Sequence, residues 1–207
     1  MKMYFYAFVF LLSPFALCSG WSQAATDDPI ALAKRIVASH GGAEKLLRIL
    51  SFEETYVLGT SGKPTDRKSV LQPPLLWFVG KTERVSQENK RAICQDVWMW
   101  TLGPLVDPRT KLETIPSAVI DGKEAKGLKV SSSVEPAMEV FFDPTTSDLL
   151  KIAWKGEQFL FSAPVDVDGT RVPSKCTLIG KTGNLRVTTE LKKIDRLAAL
   201  PDGLSKP

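Results

Sequence analysis

From Ser51 to Ile194 the chain is a succession of short segments rich in β-branched and aromatic residues, and few windows in it carry a helical period. The peptides between them are explicit turns. TSGKPTD at 60–66, DGK at 121–123, DPTTSD at 143–148, DVDGT at 166–170 and KTGN at 181–184 place Gly, Asn, Asp or Pro where a chain reverses. Segments joined by so few residues pair antiparallel, because a parallel crossover needs about a dozen residues or more. Strands are expected near 52–60, 68–71, 75–80, 82–87, 91–102, 117–121, 125–132, 137–143, 149–155, 158–163, 171–180 and 185–194. The stretch 103–116, with Pro104, Pro108 and Pro116, reads as a loop with a short helical turn. The fold class that follows is α+β, mainly antiparallel β, built on one strongly curved, meandering sheet.

A curved sheet needs something on its concave face, and the only strong helical signal supplies it. In TDDPIALAKRIVASHGG, Asp27 or Asp28 can cap the first free N–H groups and Pro29 suits the first helical position. Ile30, Ala33, Ile36 and Val37 then recur at helical spacing until Gly41 and Gly42 end the run. Residues 43–50, AEKLLRIL, offer a second short helical run with Leu46, Leu47 and Leu50 on one side. The expectation is an N-terminal helical element covering the concave face, with Ile36 and Val37 as the lid's inner surface.

Ahead of this helix lies MKMYFYAFVFLLSPFALCSGWSQA, one positive charge at Lys2, an apolar run from Tyr4 to Cys18, then small and polar residues. That is the layout of a secretory signal, and Ser22 and Ala24 suit a small-x-small cleavage site, so 1–24 is expected to be removed and 25–207 to be the mature single domain. Pro14 interrupts the apolar run, whereas a spanning helix needs about 20 apolar residues, so no transmembrane segment is expected after processing. Bulky Leu17 before Cys18 argues against lipidation there. The expected location is periplasmic or extracellular.

The leader carries only Lys2 of the 27 Lys and Arg and none of the 23 Asp and Glu, so a net charge of +4 becomes +3 on its removal. The cations are scattered among anions and form no block, which argues against nucleic acid as a partner. Two cysteines survive maturation, Cys94 and Cys176. An oxidising compartment permits a bridge between them, and two buried thiols are the alternative. Neither has a second Cys or a His nearby in sequence, so no metal site is expected.

The catalytic inventory is thin and no cofactor is indicated. His40, the only histidine, stands at a helix end, where it would serve the helix dipole or lie exposed. No G-x-S-x-G elbow accompanies it. GTSGKPT from Gly59 lacks the four-residue glycine spacing of a phosphate loop. Glu53 and Glu54 are adjacent, so on a strand they face opposite sides of the sheet and cannot work as a carboxylate pair.

Large apolar side chains are what this chain has in excess. Trp98 and Trp100 alternate, as do Phe159 and Phe161, and Leu150, Ile152 and Trp154; Trp77, Phe78, Phe141 and Phe142 add to them. Either they fill an ordinary core or some of them line a cavity for a lipid or other small molecule. The cavity candidates are Trp98, Trp100, Phe159, Phe161, Trp77, Phe142 and Trp154.

Several strings, in order, are similar to the LolA/LolB-like superfamily of outer-membrane lipoprotein-sorting and carrier proteins. They are AKRIVASHGGAEKLLRI before the first strand, QPPLLWFV after a proline, CQDVWMW, AMEVFFDPTTSDLLKI as strand, turn and returning strand, and VDGTRVPSK as a late hairpin. The likeness spans nearly the whole mature chain. Val97 stands where relatives tend to show a turn glycine, and no arginine aligns with a cavity position. The resemblance implies an unclosed β barrel covered by helices, enclosing an apolar cavity. It also implies a non-enzymatic periplasmic binder or carrier of lipid, lipoprotein acyl chains or another hydrophobic ligand. The rival is an envelope interaction or sensor domain with a packed core and a protein partner. An enzyme that assembles dispersed carboxylates is a third reading.

Overall fold

The computed structural model describes residues 28–74, 76–83, 97 and 99–204. The expected leader, Cys94 and Trp98 lie outside these residues. Helix α1 (Pro29–Ser39) begins as its sequence dictates: Pro29 takes the first position and the Asp28 carboxylate accepts from the Ile30 N–H at 3.1 Å. Gly41 turns the chain at φ +84°, and a Cβ there would come within 2.5 Å of both Lys45 and Thr170, so only glycine fits. A second short helix, α2 (Gly42–Leu46), is shorter than the expected 43–50 run. Ile49 and Leu50 already pair as strand, opposite Leu197 and Leu71, and Leu47 is left exposed.

Eleven antiparallel strands follow: β1 (Ile49–Leu58), β2 (Thr65–Gln72), β3 (Leu76–Val79), β4 (Thr82–Glu83), β5 (Lys111–Ile120), β6 (Lys123–Ser131), β7 (Met138–Phe142), β8 (Leu149–Trp154), β9 (Glu157–Val167), β10 (Thr170–Ile179) and β11 (Arg186–Leu197). They form one sheet in the order β4-β3-β2-β1-β11-β10-β9-β8-β7-β6-β5. Every neighbour in it is a sequence neighbour except β1 and β11, and among the described residues β4 and β5 are edges paired on one side only, so the sheet curves without closing. This is the curved, unclosed barrel the sequence leads one to expect, with α1 on its concave side: Leu32, Ala33 and Ile36 are buried in one cluster with Leu128, Val140, Ile152 and other sheet residues. Val37 packs against the same cluster, partly buried.

Three segments depart from expectation. In 91–102, expected to be a strand, Val97 and Met99 to Thr101 are helical, and the Thr101 hydroxyl donates to the Val97 carbonyl four residues back at 2.5 Å. Residues 103–116 do contain a short helical turn, Gly103–Val106, but β5 then starts at Lys111. As an edge strand, β5 tolerates Pro116 through an irregularity between Ile115 and Ala118. Finally, Leu149 joins Ile152 and Trp154 on the inward face in place of Leu150, because the register with β7 shifts between Phe141 and Phe142. Leu150 lies with Phe141 in a separate cluster.

Candidate functional site

Alternation on β1 and β2 sends Leu50, Phe52 and Glu54 inward opposite Leu71, Ser69 and Arg67. The row is graded: apolar at Leu50 and Leu71, charged at Glu54 and Arg67. Trp77 of β3, Trp100 of the helical segment and Phe159 of β9 face it, and together these residues bound a cavity of about 160 Å³. Cys176 and Leu178 of β10 and Val187 and Thr189 of β11 complete the wall. Trp100 joins the cavity to the core, with its ring 5.8 Å from Phe52 and edge-on to Phe161 at 5.6 Å.

The charged end is tightly organised. Glu54 is only 2% exposed. Its Oε1 accepts from Arg67 Nε at 2.6 Å and from the Ser69 hydroxyl at 2.5 Å, and Ser69 in turn accepts from Trp77 Nε1 at 3.3 Å. The Arg67 guanidinium lies over the Tyr56 and Trp77 rings, 4.7 and 5.4 Å from their centroids. Sequence reasoning missed both ends of this pair. Glu53 and Glu54 do face opposite ways, but Glu54 finds its partner across the strand rather than beside it, and Arg67 is a cavity arginine that no alignment of motifs identified.

Of the residues expected to line a cavity, Trp77, Trp100 and Phe159 do so. Phe142 and Trp154 are in the packed cluster beneath α1, where Trp154 Nε1 donates to the Pro136 carbonyl at 2.7 Å. Phe161 belongs to that cluster and also borders a second cleft. Ile36 is fully buried and lines neither cavity. Cys176 is buried in the cavity wall; Cys94, with which the sequence permits a bridge, lies like Trp98 outside the described residues.

The second cleft, of about 260 Å³, lies at the α1 C-terminus and is walled by His40, Asp148, Arg171, Lys123 and Asp143 among others. His40 is buried, not exposed. Its Nδ1 donates to the Ile36 carbonyl at 2.8 Å, capping the helix. Burial pushes the imidazole below its ordinary 6.5, against the raising effects of that hydrogen bond and of Asp148. Burial acts to raise the Asp148 carboxyl, but hydrogen bonds from Arg171 at 2.7 and 2.9 Å and from Thr146 outweigh it and hold the group low. The only hydroxyl bonded to the imidazole among the described residues is that of Ser39, itself tied to the Ile36 carbonyl at 2.7 Å. Among these residues no three His, Cys, Asp or Glu side chains converge to hold a metal ion, and no helix is long and apolar enough to cross a membrane.

No protein-family model and no curated protein matches the chain. Solved structures do. A DUF1329 family protein from Desulfovibrio piger superposes with a TM-score of 0.56 at 10% identity over 84% of this chain and 96% of its own. A putative outer membrane lipoprotein-sorting protein domain from Vibrio parahaemolyticus gives 0.53 at 11% identity over 84% and 94%. A LolA superfamily protein from Nitrosomonas europaea gives 0.53 at 9% identity over 82% and 95%. The chain has the fold of these proteins.

Proposed function

From this LolA/LolB-like fold, we propose that the protein is a non-enzymatic envelope protein, exported by its leader, that binds and carries a hydrophobic ligand. The observation that carries the reading is the cavity bounded by Phe52, Trp77, Trp100 and Phe159 beside the packed cluster beneath α1. The likeness to the putative lipoprotein-sorting domain of Vibrio parahaemolyticus supports the same class of ligand.

The cavity's size narrows that class. At about 160 Å³ it is close to the engineered apolar cavity of about 150 Å³ that takes up benzene, and below the roughly 300–1,000 Å³ of drug-sized sites. The ligand seated in it is therefore one ring or the end of a single chain, rather than the whole of a multi-chain lipid anchor. The packed cluster beneath α1 is the observation that favours the rival, an envelope interaction or sensor domain with a filled core.

Isothermal calorimetry with benzene as the probe, a single ring that a cavity of this size takes up, tests the proposal. Val187 faces the cavity from β11, and Val187→Phe should abolish probe binding while the melting temperature stays within a few degrees, because a cavity accepts volume that a close-packed core cannot. A parent protein that never binds the probe, together with a Val187→Phe variant that unfolds, would make the interior packed and the reading wrong.

A further inference from the structure

The polar end of the cavity holds hydrogen-bonding capacity that the fold leaves unspent. Both bonds to the Glu54 carboxylate go to Oε1. Among the described residues nothing donates to Oε2, on a side chain 98% buried at a cavity wall. Arg67 spends Nε on Glu54, and among the described residues nothing accepts from either Nη. The stacked rings of Tyr56 and Trp77 hold the guanidinium in place. One fixed acceptor and fixed donors thus stand side by side at the end of an apolar chamber.

Their charges decide what fits between them. Glu54 and Arg67 neutralise one another at 2.6 Å, so the site as a whole has no net charge. An anionic head group placed on Arg67 would meet the unpartnered carboxylate oxygen, and a cationic one placed on Glu54 would meet the guanidinium. A neutral group with a donor and an acceptor on adjacent atoms satisfies both walls at once. We propose that this site recognises a carboxamide at the end of a hydrophobic ligand, its N–H donated to Glu54 Oε2 and its carbonyl accepting from Arg67 Nη. This rests on the reading that the cavity holds a hydrophobic ligand. Hydrogen bonds to charged partners are the strong ones, so the head group sets selectivity while the rings supply contact area.

The test is a calorimetric competition series at neutral pH using hexanamide, N,N-dimethylhexanamide, hexanoate, hexylamine and hexane against bound benzene. Hexanamide should bind about tenfold or more tightly than the dimethylamide, which lacks the donor, and more tightly than either charged compound. Glu54→Gln removes the repelling charge at constant size, and hexanoate should then overtake hexanamide. Equal affinities across the series, or a Glu54→Gln variant that weakens every compound alike, would overturn the inference and leave the hydrophobic-cavity reading standing. Failure of all five compounds and of the probe to bind would overturn both. Should Glu54→Gln not fold, the ranking on the parent protein decides alone.

Discussion

Arg67→Met would strand the Glu54 carboxylate in an apolar wall with only the Ser69 hydroxyl for company. Breaking one side of a buried pair costs about 3–5 kcal/mol, so a urea midpoint well below that of the parent is expected. Glu54→Leu combined with Arg67→Met should recover most of that loss, since an apolar pair of similar volume needs no counter-charge. His40 gives a second expectation at this scale. Its folded value lies below the unfolded 6.5, so between the two the unfolded chain binds the extra proton. Its contribution is whole above pH 6.5 and is lost as pH falls below it, with Asp148 and Arg196 the charges that face it. Melting temperature should therefore drop from pH 7 to pH 5.5, and His40→Gln should flatten that slope. His40 was placed at its helix end by the sequence, but the pair of Glu54 and Arg67 was not legible there. Alternation shows that Glu54 and Arg67 each take one face, but only the register that sets them opposite reveals a pair.

Among the elements, α1 was read closely because its cap, its first-position proline and its apolar spacing all point the same way. Its docking makes a sharp expectation. Ile36→Asp puts an unpaired charge at a fully buried site and should destabilise the protein by about 3–5 kcal/mol, whereas Ile30→Asp, 56% exposed, should change it by less than about 1 kcal/mol. Thermal melts of the two variants check this, and equal melts would mean that α1 does not seal the sheet. The segment around Trp100 misled for a physical reason. Aromatics two apart mimic a strand, but the Val97 to Thr101 bond four residues apart belongs to a helix, and tertiary contact with Phe52 and Phe161 decides between them. The start of β5 was hidden by prolines and charge, the composition that protects an exposed edge.

At the scale of the whole molecule, turn chemistry was enough to indicate a meandering antiparallel sheet, because each reversal is local. Where the cavity lies was not legible, since it depends on which inward rows meet across the curve. The expected leader belongs to this scale too: intact-mass measurement on exported protein should find Ala25 at the N-terminus without lipid, and an acylated Cys18 would overturn that expectation. The seam between β1 and β11 bears on biosynthesis. Residues 49–58 leave the ribosome, and any export channel, long before residues 186–197 that pair with them. Until then β1 has β2 on one side and an open ladder on the other, with Leu50 and Phe52 uncovered by Leu191. Joining ends this far apart carries a closure cost that local hairpins do not, which makes the seam the slow step and the half-emerged chain the species most in need of a chaperone.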